Sequence, residues 1–350
     1  MMEKYRTIHY GIGAIGSEVL RLALQRQDIQ VVGAIDTHPA KAGRDLGDVL
    51  GVGRELGVTV SYDAEAFLRS TAADVVVQAT GSHLTAVYPQ LMQAVAAEKN
   101  VISSCQELAY PWADQGELAR KLDRRAKEIG VTVLGAGVNP GFVMDVLPLV
   151  LTSICQEVRS IAVTRVVDTS SRRAQLQTKT GAGLSAAEFR FRVTDGAVGH
   201  VGLKQSLFMI AETMAWQLDE VKESIEPVLA DRRWETGAFV VEKGRVAGVR
   251  QTAVGLMGGR EAIRLDLEMS FGAQNPRDSI VIDGKPPLKL TIAGGVQGDQ
   301  ATAAILVNLI PTVARARPGL LTMRDLPQVP WWNARSWWKE VVDEEHLRVL

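Results

Sequence analysis

The chain has 350 residues, 46% of them hydrophobic and 23% charged, with 39 basic and 40 acidic side chains giving a net charge of −1. That length passes the roughly 250–300 residues at which single cores stop growing, so two domains are expected. The charge balance excludes the basic footprint of a nucleic-acid partner, and no apolar run of about 18 residues or basic start followed by an apolar stretch points to a membrane span or signal peptide. Two cysteines, Cys105 and Cys155, lack metal-ligand spacing and read as reduced thiols of a cytoplasmic protein.

Taken in chain order, Thr7–Tyr10 and Val31–Ile35 are short strand candidates, followed by Val58–Val60, Asp74–Ala79, Val101–Ser104 and Val131–Leu134. Helical patterns lie between them at Ser17–Arg26, Leu84–Lys99 and Asp114–Ile129, the last with Leu118, Leu122, Ala126 and Ile129 at steps of three and four. Strands alternating with helices of this length predict right-handed βαβ units and a doubly wound parallel sheet. After Leu134 the character changes. Residues Val158 to Phe191 read as polar and β-rich, with a loop at Gln175–Ser185. A helix is predicted over Lys204–Trp216, then strands over Arg245–Val254, Ala262–Phe271 and Leu288–Ile292. This second part reads as an α+β domain of mainly antiparallel sheet. Ala304, Leu306, Val307 and Ile310 give the last segment helical periodicity. The expected division is a nucleotide domain over 1–145, an α+β domain over 146–300, and a C-terminal helix and tail over 301–350 returning to the first domain.

The segment GIGAIG follows the first strand and opens the first helix, supplying Gly11, Gly13 and Gly16 with Ala14 and Ile15 between. Three glycines alone are a weak signal; their place between strand and helix is the stronger one. The first permits a tight turn, the second lets a pyrophosphate approach the backbone, and the third allows close helix–strand packing. The helix start would add N–H groups and a positive dipole end. Asp36 ends the second strand, at the spacing expected for a carboxylate on the ribose hydroxyls, and favours NAD over NADP. Lys41 and Arg44 follow closely and are candidates to meet the 2′-phosphate of NADP. Thr80, Gly81, Ser82 and His83 end the fourth strand, where small residues would let the nicotinamide ribose pass. His83 at such a junction is more readily a cap or partner group than a general base.

Glu107 falls just past the fifth strand, in VISSCQELAYPW. Ligands of open parallel sheets bind outside the carboxyl ends of the strands, so this position can hold a carboxylate over a hydride-transfer face. A helix-capping or surface carboxylate is the plainer alternative. Leu108, Tyr110, Pro111 and Trp112 are candidates to shield it. Asn139-Pro140-Gly141 is a rigid turn that would fix Asn139 and Phe142, and Asp145 is placed as an N-cap for the run that follows.

SSCQELAYPW, GAGVNPGFVMDVLP, KTGAGLSAAEF, GHVGLKQS and GDQATAAILVNLIPTVARARPGLLTMRDLP, in this order, resemble the 2,4-diaminopentanoate dehydrogenase family. Its relatives include native amine dehydrogenases, which aminate ketones and aldehydes reductively. The resemblance implies a Rossmann domain with an α/β domain like that of dihydrodipicolinate reductase, usually as a homodimer. It also implies NAD(P)-dependent, reversible deamination of a primary amine, with ammonia and a ketone or aldehyde on the other side. The family's glutamate stands in a Cys-Glu-Glu-Leu-type motif; here Gln106 takes the first acidic position and Glu107 keeps the second, so the acid/base role falls on Glu107. Asn139, Pro140, Phe142, Val143 and Lys179 are the expected substrate residues, and Arg172 or Arg173 would join Lys179 if the substrate carries a carboxylate. Two alternatives stay open: 2,4-diaminopentanoate dehydrogenase itself, and an imine reductase of the dihydrodipicolinate reductase type. The latter's paired-histidine motif is missing. Trp331, Trp332, Trp337 and Trp338 are expected to pack between domains or subunits.

Overall fold

A computed structural model describes residues 4–237 and 239–326, which form two compact units. Among the described residues the first comprises 4–108, 114–137 and 299–326, and the second 109–113, 138–237 and 239–298. The tryptophan-rich stretch from Trp331 lies outside the described residues.

In the first unit, β1 (Tyr5–Tyr10), α1 (Ala14–Ala23), β2 (Ile29–Ile35), α2 (Leu46–Leu50), β3 (Val60–Ser61), α3 (Ala64–Ser70), β4 (Val75–Gln78), α4 (Leu84–Ala96), β5 (Asn100–Ser103), α5 (Gly116–Ile129) and β6 (Thr132–Gly135) succeed one another. The sheet runs β3-β2-β1-β4-β5-β6, and every pairing within it is parallel. Helices on both faces of a parallel sheet bury its central strands, which is why Val75, Val76 and Val77 on β4 form an unbroken apolar run rather than an alternating one. On α5, Ala119, Leu122 and Ala126 are buried at helical spacing, and Gly130 ends the helix with φ of 86°.

The second unit holds α6 (Val146–Thr152), β7 (Glu157–Asp168), α7 (Ala174–Lys179), α8 (Ala186–Thr194), α9 (Leu203–Thr213), β8 (Glu220–Leu229), β9 (Trp234–Glu235), β10 (Val240–Val241), β11 (Val246–Met257), β12 (Arg260–Ser270), β13 (Arg277–Lys285) and β14 (Leu288–Ala293). Its six-stranded sheet has the order β14-β13-β7-β12-β11-β8, antiparallel except where β7 pairs with β12. On β13, Asp278, Ile280, Ile282 and Gly284 alternate inward with exposed or half-exposed neighbours, the pattern of a sheet covered on one face. Arg165 and Asp278 form an ion pair of 2.6 Å with side chains 5% and 1% exposed, and Arg165 also donates to the Val296 carbonyl. The chain then returns through α10 (Gly298–Asn308) and α11 (Ile310–Val313) to β15 (Gly319–Leu321), which adds to the first sheet in parallel beside β6.

The expected fold class holds in both parts, with one local correction. The stretch from Val158 to Phe191 is strand only as far as Asp168; two helices follow, and half of the expected loop at Gln175–Ser185 is helical. The second of these helices begins with a capping box, Ser185 and Glu188 each bonding the other's backbone N–H.

Candidate active site

Strand order reverses between β1 and β4, and this switch point is where an open α/β sheet leaves a crevice. Gly11 leaves β1 with φ of 96°, and a Cβ there would lie 2.7 Å from the Ala79 carbonyl oxygen, so glycine is what lets the loops after β1 and β4 touch. A Cβ on Gly16 would stand 1.9 Å from the Gly11 carbonyl oxygen, which locks α1 against the turn. Gly13 differs: a Cβ on it would meet nothing within 4 Å. It is the N-cap of α1, and no side chain caps that helix. The turn is therefore closed behind and open in front, a shape that fits a pyrophosphate against the N-terminus of α1, flanked by Ala14 and Ile15.

Asp36 follows β2 and faces the same turn. Its Oδ2 accepts the Ile12 N–H at 2.8 Å and the Lys41 ammonium at 3.0 Å, and its Oδ1 accepts the His38 N–H at 2.9 Å. Burial works to raise this carboxyl, but His38, Lys41 and Ile12 outweigh it and hold it below the usual carboxylate range. Lys41 also donates to the Ile12 carbonyl at 2.9 Å, pinning the loop after β2 to the glycine turn.

After β4 the residues Ala79 to His83 are held from several sides. Ala79 N–H donates to the Tyr10 carbonyl at 2.8 Å. Thr80 bonds the side chains of Gln78 and Gln90, and Ser103 on β5 bonds Gln78 in turn. Composition gave no sign of this polar brace beneath the loop. The next loop is stitched to it: Ser104 N–H reaches the Gln78 carbonyl at 3.0 Å and Glu107 N–H reaches the Ser82 carbonyl at 3.1 Å. Glu107 opens a single 3-10 turn, Glu107–Ala109, directly past β5. Its Oε2 accepts the Leu84 N–H at the start of α4 at 2.6 Å, and its Oε1 meets His83 Nδ1 at 2.9 Å. The Glu107 side chain is 16% exposed and that of His83 53%. Helix capping is thus part of what Glu107 does. The pairing with His83, 24 residues earlier, had no signal in the sequence. Cys105 is buried, its thiol donating to the Ser82 carbonyl at 3.2 Å and pushed up to about 12 by burial, with the Glu107 charge adding.

The other predicted residues lie in the second unit. Pro140 is buried behind a cis Asn139–Pro140 bond, Val143 is fully buried, and Asn139 and Phe142 are partly buried. Asp145 caps α6 through the Val146 N–H at 2.6 Å and also accepts from Gly141 N–H and Ser206 Oγ, each at 2.7 Å. Its burial raises the carboxyl despite these three donors. Lys179 ends α7; although the residue as a whole is exposed, its ammonium group is lowered by partial desolvation and then by Arg173. His200 is partly exposed as a residue but its Nε2 is buried, and desolvation pushes it down to about 3, with Arg165 and Lys179 adding. Tyr110 and Trp112, expected as cover for Glu107, group with this unit and line a cavity of about 700 Å³ together with Phe208, Glu212 and Trp216. The Tyr110 hydroxyl bonds the Glu212 carboxylate.

Residues 142–336 match the 2,4-diaminopentanoate dehydrogenase C-terminal domain, and residues 7–106 the dihydrodipicolinate reductase N-terminus. The chain is 35% identical to the 2,4-diaminopentanoate dehydrogenase of Acetoanaerobium sticklandii, over 93% of this chain and 94% of that one. It is 24% identical to an amine dehydrogenase of Streptomyces virginiae, over 93% and 96% of the two chains. The solved amine dehydrogenase of Mycobacterium smegmatis superposes with a TM-score of 0.84 at 28% identity, covering 94% of this chain and 97% of the other. The fold and glycine turn are those of a dinucleotide-binding protein, and these relatives make its class that of the dehydrogenases. The chain belongs to the 2,4-diaminopentanoate dehydrogenase family.

Proposed function

We propose that the protein is an NAD(P)-dependent amine dehydrogenase, an oxidoreductase acting on CH–NH2 donors, in which Glu107 is the acid/base. The observation that carries the role of Glu107 is its position: it is a shielded carboxylate at the carboxyl end of β5, held by the start of α4 beside the crevice where β1 and β4 diverge.

The turn Gly11–Gly16 holds the pyrophosphate, Asp36 the adenosine ribose, and the loop Thr80–His83 the nicotinamide ribose. A nicotinamide held by these residues would supply the acceptor for the hydride of the amine-bearing carbon. Glu107 as a carboxylate accepts a proton from the substrate ammonium, freeing the lone pair that expels the hydride; once that proton has been passed on, the restored carboxylate offsets the positive charge of the iminium ion. Water adds to the iminium carbon, and Glu107 passes protons between the added hydroxyl and the departing ammonia. In reverse the same side chain holds ammonia against the carbonyl and, in its protonated form, gives its proton to the hydroxyl, which leaves as water. Asn139, Pro140, Phe142 and Val143 shape the substrate side. Arg172, Arg173 and Lys179 are the groups suited to a carboxylate on the substrate, and Arg173 lies near enough to Lys179 to lower its ammonium. Asp36 favours NAD. The balanced charge and the two cysteine thiols suit a cytoplasmic protein, and the family resemblance suggests a homodimer.

One assay tests the activity. The protein is mixed with NADH or NADPH, ammonium at alkaline pH, and a panel of simple ketones, aldehydes and amino-substituted keto acids. NADH loss that requires ammonium supports the reading. Loss without ammonium would point instead to an imine or carbonyl reductase, and nucleotide binding without turnover would leave only a nucleotide-binding protein.

A further inference from the structure

The oxidation releases a proton that must leave the site. When a primary amine in its ammonium form reacts with NAD+ and water, each turnover yields the carbonyl compound, an ammonium ion, NADH and one free proton. If Glu107 first takes that proton, the carboxyl must pass it on before the next cycle, yet the side chain is only 16% exposed. Two groups hold it, and they differ in kind. Leu84 N–H is a helix donor that fixes Oε2 and cannot exchange its proton on the time of a turnover. His83 supplies an imidazole whose Nδ1 lies 2.9 Å from Oε1 and whose side chain is 53% exposed.

Resting on the acid/base reading of Glu107, we propose that His83 is its proton relay and positioning partner, linking the shielded carboxylate to solvent. The Glu107 O–H bond breaks as Nδ1 takes the proton, leaving carboxylate beside imidazolium. The imidazolium gives its Nε2 proton to water, and exchange with solvent at the exposed ring restores the starting tautomer. Reductive amination runs the same steps backwards, drawing the proton in. Imidazole is the side-chain chemistry suited to passing protons near neutral pH. The other titratable group packed here, the Cys105 thiol, is pushed up to about 12, first by burial, and so keeps its proton. The location also explains why α4 begins on a histidine that makes no side-chain cap hydrogen bond with its own helix: the ring is turned to Glu107.

Two variants separate relay from scaffolding. His83→Ala removes the ring; His83→Asn keeps a short amide that can still donate to Oε1 but cannot carry a proton. The relay predicts that with NADH held at saturating concentration both variants lose about 10²-fold in ammonium-dependent kcat with little change in the KM for the carbonyl substrate, at the low end of the range for positioned proton transfer. It further predicts that millimolar imidazole restores part of the His83→Ala rate. A His83→Asn enzyme with the parent kcat would overturn the relay, as would a slow His83→Ala enzyme that imidazole does not rescue. Unchanged kinetics in both variants would refute any part for His83 while leaving the activity intact. A parent protein with no ammonium-dependent turnover would instead overturn the activity and the relay together.

Discussion

His9 stands in the middle of β1, fully buried, with Nε2 3.1 Å from the Thr7 hydroxyl. Burial lowers its pKa from 6.5 to about 3. In the folded protein it therefore stays neutral where the unfolded chain would bind a proton. Stability that is full above pH 6.5 is lost as the pH falls towards the folded value. At about pH 4.5, two units below the unfolded pKa and still above the folded one, the loss at 1.4 kcal/mol per unit is about 3 kcal/mol. That is a large share of the roughly 5–15 kcal/mol of a typical domain. With two compact units a single unfolding energy is poorly defined, so the assay is amide hydrogen exchange in peptides from β1 and β4 across this pH range, corrected for intrinsic exchange. His9→Gln, which cannot titrate, should begin less stable but show a flatter pH dependence in those peptides by about 3 kcal/mol. Equal pH slopes in parent and variant would refute the reasoning.

Gly13 faces open space with an extended backbone conformation, so Gly13→Val should leave the melting temperature within a few degrees while weakening NADH binding at least about 10-fold; equal binding would place the pyrophosphate elsewhere. Lys41 lies 3.0 Å from Asp36, and Lys41→Met should weaken NADPH about 10-fold or more, by the loss of one charge pair, with NADH changed less than about threefold. A parallel change in both would remove Lys41 from the choice between them. Asp278→Ala strips the partner from buried Arg165 and should destabilise the second unit by about 3–5 kcal/mol, seen as faster hydrogen exchange in β7 and β13; a change below about 1 kcal/mol would contradict the burial argument.

The parts of this fold that were legible in the sequence are those governed by short-range rules. GIGAIG lies between a strand and a helix because a glycine turn needs both neighbours, and Asp36 directly follows β2 at the spacing that such a turn requires. The missed parts answer to long-range contacts. β8 escaped because it is an edge strand paired only to β11, with Pro227 within it, and its largely exposed residues show no alternation. α7 and α8 are six and nine residues long, too short for periodicity to outweigh the surrounding glycines and polar side chains. The site shows the same division. Glu107 was picked out by its place after a strand and by a family motif. Its link to His83 and the hold of Lys41 on Asp36 come from loops that only the assembled sheet brings together.

Glu107→Gln is the most direct test of the account. The amide keeps the size of the carboxylate but cannot take up the ammonium proton or supply its charge. NADH titration should give the parent affinity, while ammonium-dependent reduction of the best carbonyl substrate falls by about 10²–10⁴-fold. A Glu107→Gln enzyme that binds NADH and turns over near the parent rate would contradict the account.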